Sequence, residues 1–558
     1  MYVDQYSIIK KPMTLGDVVT RLEAKTDLST TKRRDLVSAV RTAARLLHRS
    51  PEDLPASVED LRNRLADIHP VQASISLKRL ANVKSGLVAA IEMTVTTCRI
   101  RKRQRPRSPA WATLVQSTPQ KWQAYTLSRF SHFCSSQGIE PTDVSDDVLV
   151  RFEEHLSKEV LTKKPEKIVK ITRQTWNGLA ERVHPELPAL TKPPSRRVLT
   201  RDLSTYPASF QADIEAWIAR LETVDFLEDD GPAKALRPTS LRNVRACLRQ
   251  FADALVKSGV KPDELLGLSD LVDPETVKRG LRYLRERDGG NRPSHHTIMA
   301  QLIAVARYHV RVSGDIEKVL KSIQAKVSVA YDGMTDKNRN RLGQFRDERN
   351  IDLLLDLPRH LVSKAGKVKD AGRNQALMVM HAVAIDILLA CPMRIGNLSS
   401  LSIDQHLTWR GEGREQRVAI AIPGSEVKNR QPITIDLSVE TSKLLDRYIH
   451  SWRPKLEGSS GNALFTQTNG NARTPSRFGQ DISRTIKRET GIVMNAHLFR
   501  HLAALLFLDK HPGEYETVRR LLGHKNLNTT TKFYAPFETW RATERYETEV
   551  LQVRRAVK

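Results

Sequence analysis

One stretch of the chain occurs twice without a gap. "LRQFADALVKSGVKPDEL" (248–265) aligns with "LSRFSHFCSSQGIEPTDV" (127–144). Leu248 falls on Leu127, Phe251 on Phe130, Gly259 on Gly138 and Pro262 on Pro141. In the stretch "SLRNVRACLRQFADALVKSG" (240–259), which overlaps the first of these, Leu241, Val244, Leu248, Phe251 and Leu255 recur at steps of three and four, and Gly259 follows. That is the period of an amphipathic helix with a C-terminal stop. Arg242, Arg245 and Arg249 lie off the apolar stripe, which predicts a basic outer face. Each copy then runs into x-P-[DET]-[DE]-[LV], predicted to open the next helix, because proline's missing N–H lies where a helix has no use for it. A fainter third copy is "VSAVRTAARLLHRSPEDL" (37–54), with Pro51 in the proline position. For that copy the alternative is chance likeness between two amphipathic helices. The pattern confines the front of the chain to small helical modules, at roughly 30–97, 115–190 and 235–325.

Polar, non-periodic stretches separate the modules: "RKRQRPRSPAW" (101–111), "TKPPSRRVLTRDLSTYP" (191–207) and "YDGMTDKNRNRLGQF" (331–345). They predict four domains: an N-terminal helical domain (1–110), a helical module (111–200), a second such domain (201–335) and a last domain (336–558). The last differs in character. "QALMVMHAVAIDILLACPMRIGNLSSL" (375–401) is a long apolar helix that ends near a Cys-Pro-Met-Arg break. "QRVAIAIPGSEVKNRQPITIDL" (416–437) has two β-rich runs around a Pro-Gly-Ser segment, a hairpin or short sheet. The expected class is mainly helical modules followed by an α+β domain with one small antiparallel sheet.

Charge narrows the partner. Ninety Lys and Arg face 64 Asp and Glu, a formal net charge of +26. A chain this basic expects a polyanion, and nucleic acid is the first candidate. The densest basic run, "CRIRKRQRPR" (98–107), reads either as a phosphate-tracking segment or as a solvated linker. The four cysteines, Cys98, Cys134, Cys247 and Cys391, form no CxxC pair, which argues against a disulfide framework and a thiolate zinc site. The opening residues lack a signal-peptide layout, and no apolar run approaches the roughly 20 residues of a membrane span. The expectation is a soluble cytoplasmic protein, nucleoid-associated, without membrane contact.

Five short stretches of the last domain carry potential chemistry. They are "PMRIGNL" with Arg394, "EVKNRQPITI" with Lys428, "HLFRHLAALLFL" with His497 and Arg500, "LLGH" with His524, and finally Tyr534. Each alone has a plain structural reading: a helix-capping arginine, a hairpin-tip lysine, a polar helix face, a turn, a core aromatic. Together they match what cleavage of a phosphodiester by a side chain requires. Two planar, permanently charged guanidiniums can clamp the non-bridging oxygens. A phenol, with a pKa near 10, needs cationic neighbours and a base such as His497. The leaving sugar oxygen needs a proton, which a lysine on a hairpin can supply, and His524 can donate a hydrogen bond to the phosphate. Covalent capture on Tyr534 would conserve the bond energy, so no ATP, metal or other cofactor is required.

The order Arg…Lys…HxxR…LLGH…Tyr resembles the tyrosine recombinase (phage integrase) family over about 375–540. The resemblance implies that Arg394, His497, Arg500 and His524 bind and activate the scissile phosphate. It implies that Lys428 is the general acid for the 5′ oxygen and that Tyr534 forms a 3′-phosphotyrosyl bond to double-stranded DNA. The helical modules are similar to the family's core-binding domain, which with the catalytic domain clamps the duplex. Implied too are a tetrameric synapse and, in some systems, accessory recombination proteins. Asn397 departs from the family, which often has an acid three positions after the first Arg; a hydrogen bond to a neighbour is expected of it. Ala542, Tyr546, Val550 and Val553 at helical spacing suggest a tail helix, docked on its own domain or on a neighbouring protomer. Three functions compete: an integrase or transposase, a type IB topoisomerase-like nicking-closing enzyme, and a DNA-binding relative without catalysis.

Overall fold

The computed structural model describes residues 13–95, 107–162, 164–191, 200–223, 234–329, 333–528, 530–535, 543, 546, 547, 549 and 550. The basic run at 98–106, Thr529, Ala542 and Val553 lie outside these residues. Two compact units emerge, one of residues 1–192 with 333–558 and the other of 193–332.

Four apolar cores form along the chain. The first gathers Leu15, Val40, Leu61 and Leu87. The second is aromatic, around Trp111, Phe130, Phe152 and Trp176. The third, inside the 193–332 unit, centres on Trp217, Phe251, Leu281 and Leu302. The fourth fills the C-terminal domain.

The repeated segment has one local structure in all three places. Helix α1 (Thr30–Leu46), α2 (Lys121–Gln137) and α3 (Pro238–Lys257) each end in a left-handed residue at the aligned position. That residue is Gly138 (φ 71°), Gly259 (φ 100°) and, in the faint copy, His48 (φ 53°). A non-glycine residue seldom accepts this conformation, yet His48 adopts it at the aligned position. The aligned Val40, Phe130 and Phe251 are each fully buried. The prolines do not open the next α-helix as expected. Pro51–Asp53, Pro141–Asp143 and Pro262–Glu264 are single 3-10 turns. The buried Leu54, Val144 or Leu265 that follows is extended and ends each turn. On the outer face of α3, Arg242 is exposed and Arg245 is tied to Glu215.

In the C-terminal domain α4 (Arg373–Ala390) is the central core helix, with Val379, Met380, Ala384 and Ile387 buried. By length and composition α4 alone among the described helices could cross a membrane, but half of it is buried inside the protein. The break Cys391–Met393 leads to the short α5 (Ile395–Ser399). Three antiparallel strands follow: β1 (Leu407–Arg410), β2 (Arg417–Ile422) and β3 (Ile433–Asp436). Leu407 pairs with Ile420, and Ile420 with Ile435. Strand β1 was not visible as a β-rich run, because its four residues, Leu-Thr-Trp-Arg, are too few to show a period. Helices α6 (Pro475–Thr490), α7 (Leu498–Lys510) and α8 (Tyr515–Leu522) complete the frame. Cys134 and Cys391 are buried free thiols; burial pushes them up to about 12 and about 11.

Candidate active site

Arg500 is the hub. It lies in the first turn of α7, 5% exposed. One arm of its guanidinium donates to the Pro392 carbonyl at 2.7 Å and the other to the Leu522 carbonyl. The first bond braces the break before Arg394; the second braces the end of α8, just before His524. Burial first, and then Arg394, lowers Arg500 to about 10. A buried cation facing a second one is costly unless an anion joins them.

Arg394 occupies the N-cap of α5 and is half-buried. Its Nη1 donates to Asn429 Oδ1 at 3.5 Å, and Asn429 Nδ2 donates to the Gly523 carbonyl at 2.6 Å. Asn429 therefore links the first arginine to the Gly-His turn. Gly523 takes φ 57°, which a glycine adopts freely. The turn aims His524 at Thr530, with Nδ1 2.9 Å from the buried hydroxyl. Burial, then Arg500, Arg394, His497 and Arg519, hold His524 down at about 4. Arg519 also grips the His524 carbonyl at 2.8 Å. His497 opens to solvent at the N-cap of α7. Partial desolvation, Arg500 and Arg394 hold it below the ordinary histidine range.

Tyr534 is 1% exposed, and its hydroxyl lies 2.9 Å from His501 Nδ1. Burial raises its pKa, against the pull of Arg500. Residues 527, 528 and 530–535 are helical. Asn526 precedes that helix, and its Oδ1 accepts from Asn528 N at 2.9 Å, the bond of a capping side chain.

Five of the six sequence candidates are thus coupled through one cluster: Arg394, His497, Arg500, His524 and Tyr534. Lys428 is exposed in the β2–β3 connection and has no polar partner among the described residues. Its neighbour Asn429, not Lys428 itself, touches the cluster. Asn397 is buried, but its Nδ2 has no hydrogen-bond partner among the described residues, contrary to the expected bond. Sequence reasoning missed Asn429, Thr530 and His501. Asn429 and Thr530 carry no signal of their own. His501 did: it follows Arg500 directly and stands one turn beyond His497 on an apolar helix.

Residues 363–539, which hold the whole cluster, match the phage integrase family. Those residues are a tyrosine recombinase domain. Among its relatives, tyrosine recombinase XerC of Alcanivorax borkumensis is 24% identical over 312 residues, 56% of this chain and 88% of that protein. Tyrosine recombinase XerD of Pseudomonas putida is 29% identical over 160 residues, 28% of this chain and half of that relative. Transposase A from transposon Tn554 of Staphylococcus aureus is 26% identical over 145 residues, covering 25% of this chain and 39% of its own. Similar solved structures include XerH recombinase bound to difH, at 14% identity and TM-score 0.35, covering 59% of this chain and 95% of that one. The Tn1549 transposon integrase matches at 15% identity and TM-score 0.31, covering 55% and 94%. Tyrosine recombinases cleave and rejoin DNA, and this chain is a site-specific recombinase of that kind. The relatives lend nothing to the topoisomerase-like reading.

Proposed function

We propose that Arg394 and Arg500 clamp the scissile phosphate, that His497 and His524 contact it, and that Tyr534 attacks it to leave a 3′-phosphotyrosyl bond. The observation that carries this reading is the double brace of Arg500, which fixes the Arg394 segment and the His524 turn around one cation. Two guanidiniums and two histidines with no acid among their hydrogen-bond partners make a site for an anion. Lys428 serves as general acid from the β2–β3 connection. The enzyme works as a tetramer on duplex DNA in the cytoplasm, with the nucleoid as its target, helped in some reactions by accessory proteins.

Phosphate contacts outside the catalytic domain fit the N-terminal module. Arg33, Arg34, Arg41 and Arg45 line a cavity of about 620 Å³ along α1, with Glu23 the one acid among its described lining residues. Such contacts fix register without reading bases. Replacing Arg34, Arg41 and Arg45 together by Ala flattens the slope of log K against log salt by about 2.7, at roughly 0.9 per lost phosphate contact. Fluorescence anisotropy of a labelled duplex across a salt series measures this.

The function itself is tested with a duplex selected from a random pool by the Tyr534→Phe protein, then nicked beside the cleavage point. Wild type forms an SDS-resistant protein–DNA adduct and Tyr534→Phe forms none. Equal adduct in both would rule out Tyr534 as nucleophile.

A further inference from the structure

The sequence points to His497 as the base for the nucleophile, but the phenol is held by a different histidine. His501 is 6% exposed on α7. Its ring meets His497 edge-on at 5.0 Å and stacks on Phe533 at 5.8 Å, and Nδ1 is the atom 2.9 Å from Tyr534 Oη. The ring is packed on three sides and its Nδ1 is spent on one partner.

Charge and tautomer together set the direction of that hydrogen bond. The groups around His501 are His497 and Arg500 on its own helix, His524 after the Gly523 turn, and Tyr534 itself. Burial first, then His497, Arg500 and His524, push the imidazole down to about 3, so the resting ring is neutral. A neutral ring with its proton on Nε2 accepts at Nδ1, and the phenol donates. In that tautomer the phenol's proton points at a nitrogen. The surrounding cations keep it from crossing. A phosphodiester lodged between Arg394 and Arg500 adds a negative charge beside the groups that now repel a proton on His501. It raises the basicity of the ring when, and only when, substrate is present.

We propose that His501 is a catalytic base for this recombinase: it takes the Tyr534 proton during cleavage and returns it during rejoining, switched on by the charge of the bound phosphate. In cleavage the Oη–H bond breaks and Nδ1–H forms. Oη bonds to phosphorus, the P–O5′ bond breaks, and its electron pair leaves on the 5′ oxygen, which takes a proton from the general acid assigned above to Lys428. In rejoining the 5′ hydroxyl gives its proton back to that amine and attacks phosphorus. The departing phenolate recovers its proton from Nδ1–H. The proposal rests on the recombinase reading and replaces only the sequence-based assignment of the base.

The test is the single-turnover rate of adduct formation on the nicked, pool-selected duplex from pH 5.5 to 9. The variants are His501→Asn, His501→Gln and His501→Ala, with duplex affinity measured for each. The Asn carboxamide oxygen can keep the hydrogen bond from Tyr534 but cannot take its proton. His501→Asn is expected to bind duplex normally and react about 10²–10⁴-fold slower, the usual contribution of a positioned base. Its rate should rise about tenfold per pH unit over a range where wild type is level. Imidazole added to His501→Ala should restore part of the rate in proportion to its unprotonated fraction. An Asn variant within threefold of wild type and with the wild-type pH profile overturns the proposal; it would leave His501 a positioning residue. If the Asn variant has lost duplex binding, His501→Gln is read by the same two criteria. Absence of adduct from wild type itself would instead sink the recombinase reading.

Discussion

The second helical module and the catalytic domain bury their polar groups in opposite ways. In the module, Trp111, Phe130, Phe152 and Trp176 meet at 5.1–6.1 Å, and the two indole N–H groups are satisfied by the Ile139 and Pro188 carbonyls at 2.8 Å. Nothing there calls for a ligand. In the catalytic domain two arginines, three histidines and a tyrosine share one partly dry cluster, where burial first and neighbouring charges second depress the histidines and Arg500. The first arrangement is optimised for the folded state alone. The second is held against its own repulsion and is completed only by an anion. A module of this kind can be copied along a chain, while the cluster occurs once.

Four changes press on that contrast, the largest first. Arg500→Ala leaves the Pro392 and Leu522 carbonyls without their charged donor. It should cost about 2–4 kcal/mol of stability and about 10²–10³-fold in adduct formation beyond the effect of misfolding. Urea titration and single-turnover kinetics separate the two. Equal loss from Trp111→Phe, which removes one indole bond from the module, would erase the distinction.

Acid should act on the two regions unequally. His381, His501 and His524 are held at about 4, 3 and 4 in the folded catalytic domain, all three chiefly by burial. Each is neutral when folded and binds a proton near pH 6.5 when unfolded. Their contribution is therefore complete above about pH 6.5 and is lost as pH falls toward 4, because the unfolded state then binds more protons. Hydrogen exchange at pH 7.5 and 5 should show protection falling more in α4 and α7 than in α2. Uniform loss would contradict the asymmetry.

Packing inside the third module provides a smaller effect. A methyl at Gly280 would approach Phe251 to 2.6 Å, so Gly280→Ala should destabilise the 193–332 unit by about 1–3 kcal/mol. Its adduct rate per folded molecule on the nicked duplex should be unchanged. Smallest is the repeat turn. Gly138→Ala meets no atom within 4 Å and suffers only its left-handed backbone, about 1–2 kcal/mol. His48→Gly relieves the same strain in the first copy and should stabilise it by about 0.5–1 kcal/mol. Thermal melts of the two variants should move in opposite directions.

The helical class, the small sheet and the three related turns were legible because helical period and glycine stops are local signals. The 3-10 turns were not, since Pro at a first position suits either helix type. Of the cluster, Arg394, His497, Arg500, His524 and Tyr534 could be read from their order along the chain. Asn429 could not, because its role comes from reaching both Arg394 and Gly523, residues 35 and 94 positions away. His501 lay in plain view beside Arg500. It was passed over because adjacent helix positions point to different sides, whereas here the different side is where Tyr534 docks.

Attachment of DNA through Tyr534 is tested most directly by mass spectrometry of the adduct trapped on the nicked duplex, after digestion of both protein and DNA. A single modified peptide, containing Tyr534, is expected to carry a nucleotide by its 3′ phosphate. Attachment at any other residue, linkage through a 5′ phosphate, or cleaved DNA with no protein attached would contradict it.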